Sequence, residues 1–143
     1  VYVLVDVFVG SLASRVSGVR ERADRWTSSD RDWTSQAGWD LYAQLALKDG
    51  ELDDAFFLGL LERIEAGIDG AGNRTRHSMN GCVIAIGSRN EALRAAAEAS
   101  AGRIGVVTVD HGGTGCETPA AIPYIQRTWD RKLAKIGGSR GVA

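Results

Sequence analysis

Residues 53–70 read DDAFFLGLLERIEAGIDG, and this stretch carries the clearest structural signal in the chain. Its apolar residues recur three and four positions apart, which is the spacing that places side chains on one face of an α-helix. Asp53 can cap the start of this helix, and Gly70 can end it. The pattern therefore predicts a helix whose apolar face consists of Phe57, Leu60, Leu61, Ile64 and Ile68.

Another helix is predicted immediately upstream, over residues 30–48. Ser29 is its candidate N-cap, and Gly50 follows its end. Apolar residues spaced four apart draw a stripe along it, namely Trp33, Ala37, Leu41 and Leu45. The tryptophans of this region are expected to pack in the core, and they are Trp26, Trp33 and Trp39.

Two asparagines open the helices that are predicted downstream. Asn73 is a candidate N-cap for a helix over 74–87, and Asn90 is one for a helix that ends near residue 101. The latter helix is rich in small residues, which would let it pack closely against a neighbour. These residues are Ala92, Ala95, Ala96 and Ala99.

The helical pattern breaks between residues 103 and 118. Residues 106–109 read as extended, and a glycine-rich loop follows in which Asp110 and Thr114 are expected to hydrogen-bond the backbone. No Gly-Lys-Ser/Thr follows the glycines, so the loop does not match a P-loop. Thr118 and Pro119 are then expected to begin a last helix that reaches about residue 135.

The fold class follows from this succession of helices and short turns. A helix pair every 40 residues or so is the period of HEAT-type solenoids. We therefore predict an all-α fold, a HEAT-like antiparallel helical-repeat unit (α-α superhelix) over residues 1–143, with a short irregular loop near the C-terminus. Valines alternate in the first fifteen residues as in a strand, but a lone strand would lack partners, so a helix is favoured there.

Composition narrows the class of protein. The net charge is −1, which argues against a chain that is basic throughout but not against a local basic patch. The start is apolar and lacks methionine, so we expect a fragment of a longer protein. Neither a signal peptide nor a membrane span is indicated, and a cytoplasmic location is expected. Cys82 and Cys116 are expected to be two buried free thiols.

Three stretches of the chain resemble a known family. Residues 25–37 contain RWTSSDRDW followed by Gln36 and Ala37, residues 73–87 read NRTRHSMNGCVIAIG, and residues 109–119 read VDHGGTGCETP. The first stretch resembles the AlkD-like alkylpurine DNA glycosylases, which consist of HEAT-like repeats, and the other two are similar to a subgroup described as DNA alkylation-repair proteins. The resemblance covers most of the chain and points to the C-terminal part of such a protein.

This resemblance implies excision of cationic N3- or N7-alkylated purines from duplex DNA, without a metal or another cofactor. Such a base is already a cationic leaving group, so the enzyme has mainly to stabilise positive charge on the deoxyribose. Asp6 falls where the family places its carboxylate, and Tyr2 falls where it places a tryptophan. Four residues apart on a helix, the two side chains can face one sugar. The alternative is that Asp6 forms a structural ion pair, for example with Arg76.

Contacts with the DNA backbone are expected at two places. Gln36 stands where the family commonly has an arginine that contacts phosphate. Residues in the first turn of the helix predicted over 74–87 would benefit from free N–H groups and the positive end of the helix dipole. The predicted DNA-binding residues are thus Gln36, Asn73, Arg74, Arg76 and His77. Alternatively, this helix start faces solvent with Arg76 or His77 bound to an acidic neighbour.

A non-catalytic function is the alternative to the enzyme hypothesis. An aromatic wall found in well-studied members aligns with Gly81, which cannot supply it, and Gln36 weakens a phosphate contact. The chain can therefore also be a helical-repeat module that binds DNA or a protein partner. The enzyme hypothesis expects duplex DNA and further N-terminal repeats of the same chain as partners. A zinc site formed by the histidines and cysteines is disfavoured, because their spacing matches no common zinc module.

Overall fold

A computed structural model of the chain describes residues 7–9 and 15–139. Within these ranges the named helices alternate with short connections, and no strand occurs. The helices are α1 (Val19–Thr27), α2 (Asp32–Lys48), α3 (Asp54–Gly67), α4 (Asn73–Gly87), α5 (Glu91–Ile104) and α6 (Ala121–Ser139), and a 3₁₀ turn (Ile68–Gly70) follows α3. The prediction of an all-α fold is confirmed.

Two of the predicted helix caps form as expected. The Asp53 side chain accepts a hydrogen bond from the backbone N–H of Phe56 at 3.0 Å. The Asn90 side chain accepts one from the N–H of Leu93 at 2.9 Å. Each cap satisfies one of the four N–H groups that a helix start leaves without an intrahelical partner.

The other predicted caps are wrong. Arg31 and Gly72 occupy the N-cap positions of α2 and α4, and α6 begins at Ala121, later than expected. The polar side chains at the expected cap positions have other partners: Ser29 accepts from the Arg31 N–H, while Asn73 and Thr118 bond across the molecule. These residues were favoured as caps because their side chains can accept hydrogen bonds. In the structure, however, Asn73 and Thr118 bond to residues that are distant in the sequence.

The helices pack in two layers. α2 and α4 lie side by side in one layer, α3 packs beside α5 in the other, and α6 packs against both α4 and α5. α2 and α4 run in the same direction, because Asp32 at the start of α2 bonds to Arg74 and Thr75, while Arg89, just after α4, bonds to Ala46 near the end of α2. α4 and α5 are joined by a tight turn and run antiparallel, as predicted for a helical repeat.

The core fills the space between the two layers. The whole apolar face predicted for α3 is buried: Phe57, Leu60, Leu61, Ile64 and Ile68 are each at most 3% exposed. Trp39 is buried, whereas Trp33 is 43% exposed, so the expectation that Trp33 packs in the core is wrong. The reason is that α2 begins at Asp32, which places Trp33 in a first turn at the edge of the core.

α5 also buries a different face from the one predicted. Its buried residues are Leu93, Ala97, Ser100 and Ala101, while Ala92, Ala95 and Ala99 are exposed. Alanines lie all around this helix, so its sequence has little contrast between faces. Packing against α3 and α4 therefore selects the buried face.

Close approach positions α6 against the rest of the stack. A Cβ atom built at Gly87 would lie 2.6 Å from Ile125 Cδ1 and 3.0 Å from Ala97 Cβ. A glycine at this position therefore lets the fully buried Ile125 side chain of α6 rest on the end of α4. The Trp129 indole N–H, also on α6, donates to the Gly87 carbonyl at 2.8 Å.

Residues 105–120 form an irregular segment between α5 and α6, in agreement with the predicted loop. The Asp110 side chain accepts from the Gly112 N–H at 2.7 Å, and the Thr114 hydroxyl donates to the His111 carbonyl at 2.8 Å. The expected backbone hydrogen bonds of Asp110 and Thr114 are thus confirmed. Gly112 has a φ of 63°, which a glycine adopts without strain.

Candidate nucleic-acid interface

A groove of about 1100 Å³ lies between α2, α4 and α6. Its floor is one face of α4, and its walls are α2 on one side and α6 on the other. The floor residues recur at helical spacing and are His77, Asn80, Gly81, Ile84, Ala85 and Ser88. The wall residues on α2 include Asp40, Ala43 and Leu47, and those on α6 include Tyr124, Thr128, Arg131 and Lys135.

Cations outnumber acids along this groove. Its basic side chains are Lys48, Arg89, Arg131, Lys132 and Lys135, while its acidic ones are Asp40 and Asp49. A net charge of −1 for the chain therefore conceals a local basic surface. A concave surface lined by one sign of charge raises the local concentration of oppositely charged ligands.

Two of these cations are fixed by backbone carbonyls. Arg89 donates to the carbonyls of Ala46 and Leu52 at 3.0 and 2.9 Å and also to that of Asp49. Lys132 donates to the Ser88 carbonyl. These bonds hold the two charges in place. Arg89 thereby satisfies carbonyls in and after the last turn of α2, where a cation is also favoured by the helix dipole.

The backbone N–H groups at the start of α4 bind a carboxylate of the protein itself, that of Asp32. The Asp32 carboxylate accepts from the backbone N–H of Arg74 at 2.9 Å and from that of Thr75 at 2.8 Å. Burial raises the pKa of Asp32, but these backbone hydrogen bonds outweigh it and hold the pKa below its ordinary value of 3.8. The expectation that these N–H groups are open to a phosphate is therefore corrected.

The predicted DNA-binding side chains at this helix start contact the irregular segment. The Asn73 amide donates to the Asp110 carbonyl at 2.5 Å, and its oxygen accepts from the Asp110 N–H at 2.7 Å. Arg74, which is buried, donates to the same carbonyl at 3.3 Å. Arg76 donates to the carbonyls of Thr108 and Ala71 at 3.0 and 3.1 Å. In this structure these three side chains hold residues 105–120 against α4.

His77 belongs both to this contact and to the groove. Its Nδ1 lies 3.1 Å from Thr118 Oγ1, and His111 Nε2 lies 2.8 Å from the same oxygen. A hydroxyl can donate to one imidazole and accept from the other, so Thr118 can bridge the two rings. The rings themselves meet edge to face, with centroids 5.3 Å apart. His77 is the predicted DNA-binding residue that lines the groove.

The remaining predicted site residues lie elsewhere. Gln36 is fully buried within α2, so a phosphate outside the protein cannot reach it in this conformation, and its assignment as a surface contact is corrected. The physical reason is that α2 buries its whole stretch from Ser35 to Trp39. Tyr2 and Asp6, the predicted catalytic pair, lie outside the described residues. Their pairing at a sugar stays a prediction, as does the ion pair of Asp6 with Arg76.

The groove cations on α6 are not among the residues predicted from the sequence to bind DNA. Arg131 and Lys135 are four residues apart and project from one helix face into the groove. This spacing was visible in the sequence. The position at which α6 packs was not visible in the sequence, and only that placement makes this basic helix face a wall of the groove.

The two cysteines differ in their burial. Cys82 is buried as expected, and burial raises the pKa of its thiol. Cys116 is exposed, so the prediction that it is buried is wrong. Across residues 7–9 and 15–139, no group of three or more His, Cys, Asp or Glu side chains converges as a metal site would require. None of the helices described combines the length and apolar character needed to cross a membrane.

The stacked helix layers define the class of protein, a HEAT-like helical-repeat protein. Residues 2–103 match the family model described as DNA alkylation repair enzyme, which is most of the chain. The chain therefore belongs to the DNA alkylation repair enzyme family, and the resemblance drawn from the sequence is confirmed. The matched residues end before the irregular segment and α6.

Comparison with known proteins agrees with this assignment. The chain is 32% identical over 123 residues to the uncharacterized proteins Lin0241 of Listeria innocua and Lmo0209 of Listeria monocytogenes, covering 86% of this chain and 53% of each relative. It thus spans about half the length of these curated relatives. A solved structure superimposes with a TM-score of 0.80 at 26% identity, covering 92% of this chain and 57% of that one. That protein is described as one of a new family related to the HEAT-like repeat DNA glycosylases, with affinity for branched DNA structures.

Proposed function

We propose that this protein binds DNA in the groove between α2, α4 and α6, as part of a DNA alkylation-repair protein. The observation that carries the proposal is the set of five cations that line this single concavity against two acids. Phosphates supply most of the affinity of proteins for DNA, because their neutralisation releases condensed counterions. The volume of about 1100 Å³ is at the upper end of that of small-molecule pockets, which suits a segment of a polymer.

The structural neighbour supports branched DNA as a further ligand. Its described affinity for branched DNA structures belongs to that protein, which shares the fold over most of this chain. A groove whose α6 wall carries three cations can hold strands that diverge, because phosphate contacts require no particular base sequence. The proposal therefore includes duplex DNA and DNA with a branch point.

The test is binding of the chain to duplex and forked DNA over a range of salt concentrations. Arg131→Ala combined with Lys135→Ala should weaken binding to both DNAs and lower the slope of log K against log salt by about 1.8, since each phosphate contact contributes about 0.9. The control, Arg15→Ala with Arg25→Ala, removes two exposed arginines that do not line the groove. An equal change of slope in both double variants would contradict the proposed groove.

Base excision is the second candidate function. It is favoured by the family match, which begins at residue 2 and so includes Tyr2 and Asp6. In this proposal Asp6 stabilises the cationic sugar through its charge, and the Tyr2 ring adds a cation-π contact. The alkylated purine leaves without a general acid because it is already positively charged.

Asp6→Asn tests this mechanism, since it keeps the size of the side chain and removes its charge. Release of 7-methylguanine and 3-methyladenine from duplex DNA should fall by a hundredfold or more, roughly the effect of removing one preorganised electrostatic group. Affinity for undamaged DNA should stay the same or rise slightly. If the variant melts at a lower temperature but excises at the normal rate per folded molecule, Asp6 has a structural role instead.

A further inference from the structure

One aromatic side chain lies in the groove. Tyr124, in the first turn of α6, lines the groove and remains 38% exposed. The other tyrosine described, Tyr42, is fully buried among core aromatics. A partly exposed ring at the wall of this groove can contact a ligand with a flat apolar face.

The floor of the groove leaves space for such a ligand. A Cβ atom built at Gly81 would meet no other atom within 4 Å, so a substituent there would enter open space. The neighbouring lining residues Ala43 and Ala85 are also small. A planar group can therefore enter the groove without displacing a bulky side chain.

Two arginines of α6 lie near Tyr124 or line the same groove. The guanidinium carbon of Arg127 lies 5.7 Å from the centroid of the Tyr124 ring, which makes the ring part of a stacked cation-aromatic pair. Arg131, two turns along α6 from Tyr124, lines the same groove. Aromatic rings and arginines together bind single-stranded nucleic acid, the rings by stacking on bases and the arginines at the backbone.

We propose that Tyr124 stacks on an unpaired nucleobase at the branch point of a DNA, while Arg131 contacts an adjoining phosphate. This inference rests on the proposed binding of DNA in the groove. In an intact duplex both faces of each base are covered by its neighbours, so a ring in a groove wall has no base face to contact. At a branch point a base can leave the stack, which gives the groove a physical reason to favour branched over fully paired DNA.

The experiment compares a forked duplex, with 2-aminopurine in its unpaired arm next to the branch, and a fully paired duplex of the same length. Tyr124→Ala should weaken binding to the fork by roughly 5- to 150-fold, the effect of losing one base–aromatic stack, and should weaken duplex binding far less. It should also abolish the quenching of 2-aminopurine on binding, while Tyr124→Phe retains both properties. Trp33→Ala, which removes an exposed aromatic outside the groove, is the control.

A second pair of variants tests the groove without touching the ring. Gly81→Leu fills the open floor, whereas Gly59→Leu places the same side chain on α3, where a built Cβ also meets no atom within 4 Å. Gly81→Leu should weaken fork binding and Gly59→Leu should not, with both proteins folded by circular dichroism.

The outcomes separate this inference from the proposed function. Failure of the unmodified chain to bind either DNA defeats the proposed function. Normal binding of both DNAs by Tyr124→Ala overturns only the role of Tyr124. Equal losses on fork and duplex, or equal effects of Trp33→Ala and Tyr124→Ala, also overturn it.

Discussion

Some side chains of this protein form hydrogen bonds with residues that are distant in the sequence. Asp32 lies at the start of α2 and yet accepts two backbone hydrogen bonds at the start of α4, more than 40 residues away. The carboxylate replaces a cap that Gly72, without a side chain, cannot provide. One side chain thus satisfies the N–H groups of a neighbouring helix and fixes the two helices in register.

The pH dependence of stability tests this role of Asp32. Because the folded pKa of Asp32 is lower than its ordinary value of 3.8, its contribution is complete above that value and is lost as the pH falls through the lowered pKa. Asp32→Asn should lower the free energy of unfolding at pH 7 by about 0.5 to 2 kcal/mol, the usual effect of losing a cap. The difference from the unmodified protein should shrink on acidification below the ordinary pKa.

Urea denaturation at neutral and acidic pH measures this difference. Asp130→Asn, which changes an exposed carboxylate on α6, serves as the control and should leave the pH profile unchanged. A difference between Asp32→Asn and the unmodified protein that stays constant with pH would contradict the charged cap.

At the scale of elements, the irregular segment 105–120 is bound to α4 by side chains of the first turns of that helix. Asn73 and Arg74 bond to the Asp110 backbone, and His77 meets Thr118. Further along α4, Asn80 donates to the Pro119 carbonyl at 2.9 Å. These contacts lead the chain from the end of α5 to the start of α6 and thereby help to place the second wall of the groove.

Asn73→Ala should loosen the contact between the irregular segment and α4 at Asp110. It removes the two hydrogen bonds with the Asp110 backbone, each worth about 0.5 to 1.5 kcal/mol. Hydrogen exchange of the Asp110 amide should therefore accelerate, with little change at the start of α5. Asn90→Ala is the matched control, because it removes the cap of α5 and should accelerate the Leu93 amide instead. Unchanged protection of Asp110 in Asn73→Ala would show that other contacts hold the segment.

At the scale of the whole molecule, the stack of layers converts a nearly neutral chain into a protein with a basic groove. Lys48 comes from the end of α2, Arg89 follows α4, and Lys135 comes from α6. Each belongs to a different part of the sequence. The groove therefore exists only when α2, α4 and α6 pack together.

The sequence by itself determined helices α2 to α6, the buried face of α3, two caps and the family. These features depend on interactions within about four residues, such as side chains on one helix face or a cap bonded to the next turn. Local periodicity records such interactions directly. Where periodicity was weak, as in the alanine-rich α5, the prediction of its buried face failed.

Only the tertiary structure decided which side chains form the groove and which hold the fold together. Asn73 and Arg74 have the residue types of a phosphate site, but their observed partner Asp110 lies 37 and 36 residues further along the chain. Tyr124 and Arg131 belong to the groove because Gly87 lets α6 approach the end of α4. The type of a residue decides which hydrogen bonds its side chain can form. The partner of that side chain is decided by the packing of elements that are distant in sequence, and no local sequence pattern encodes that packing.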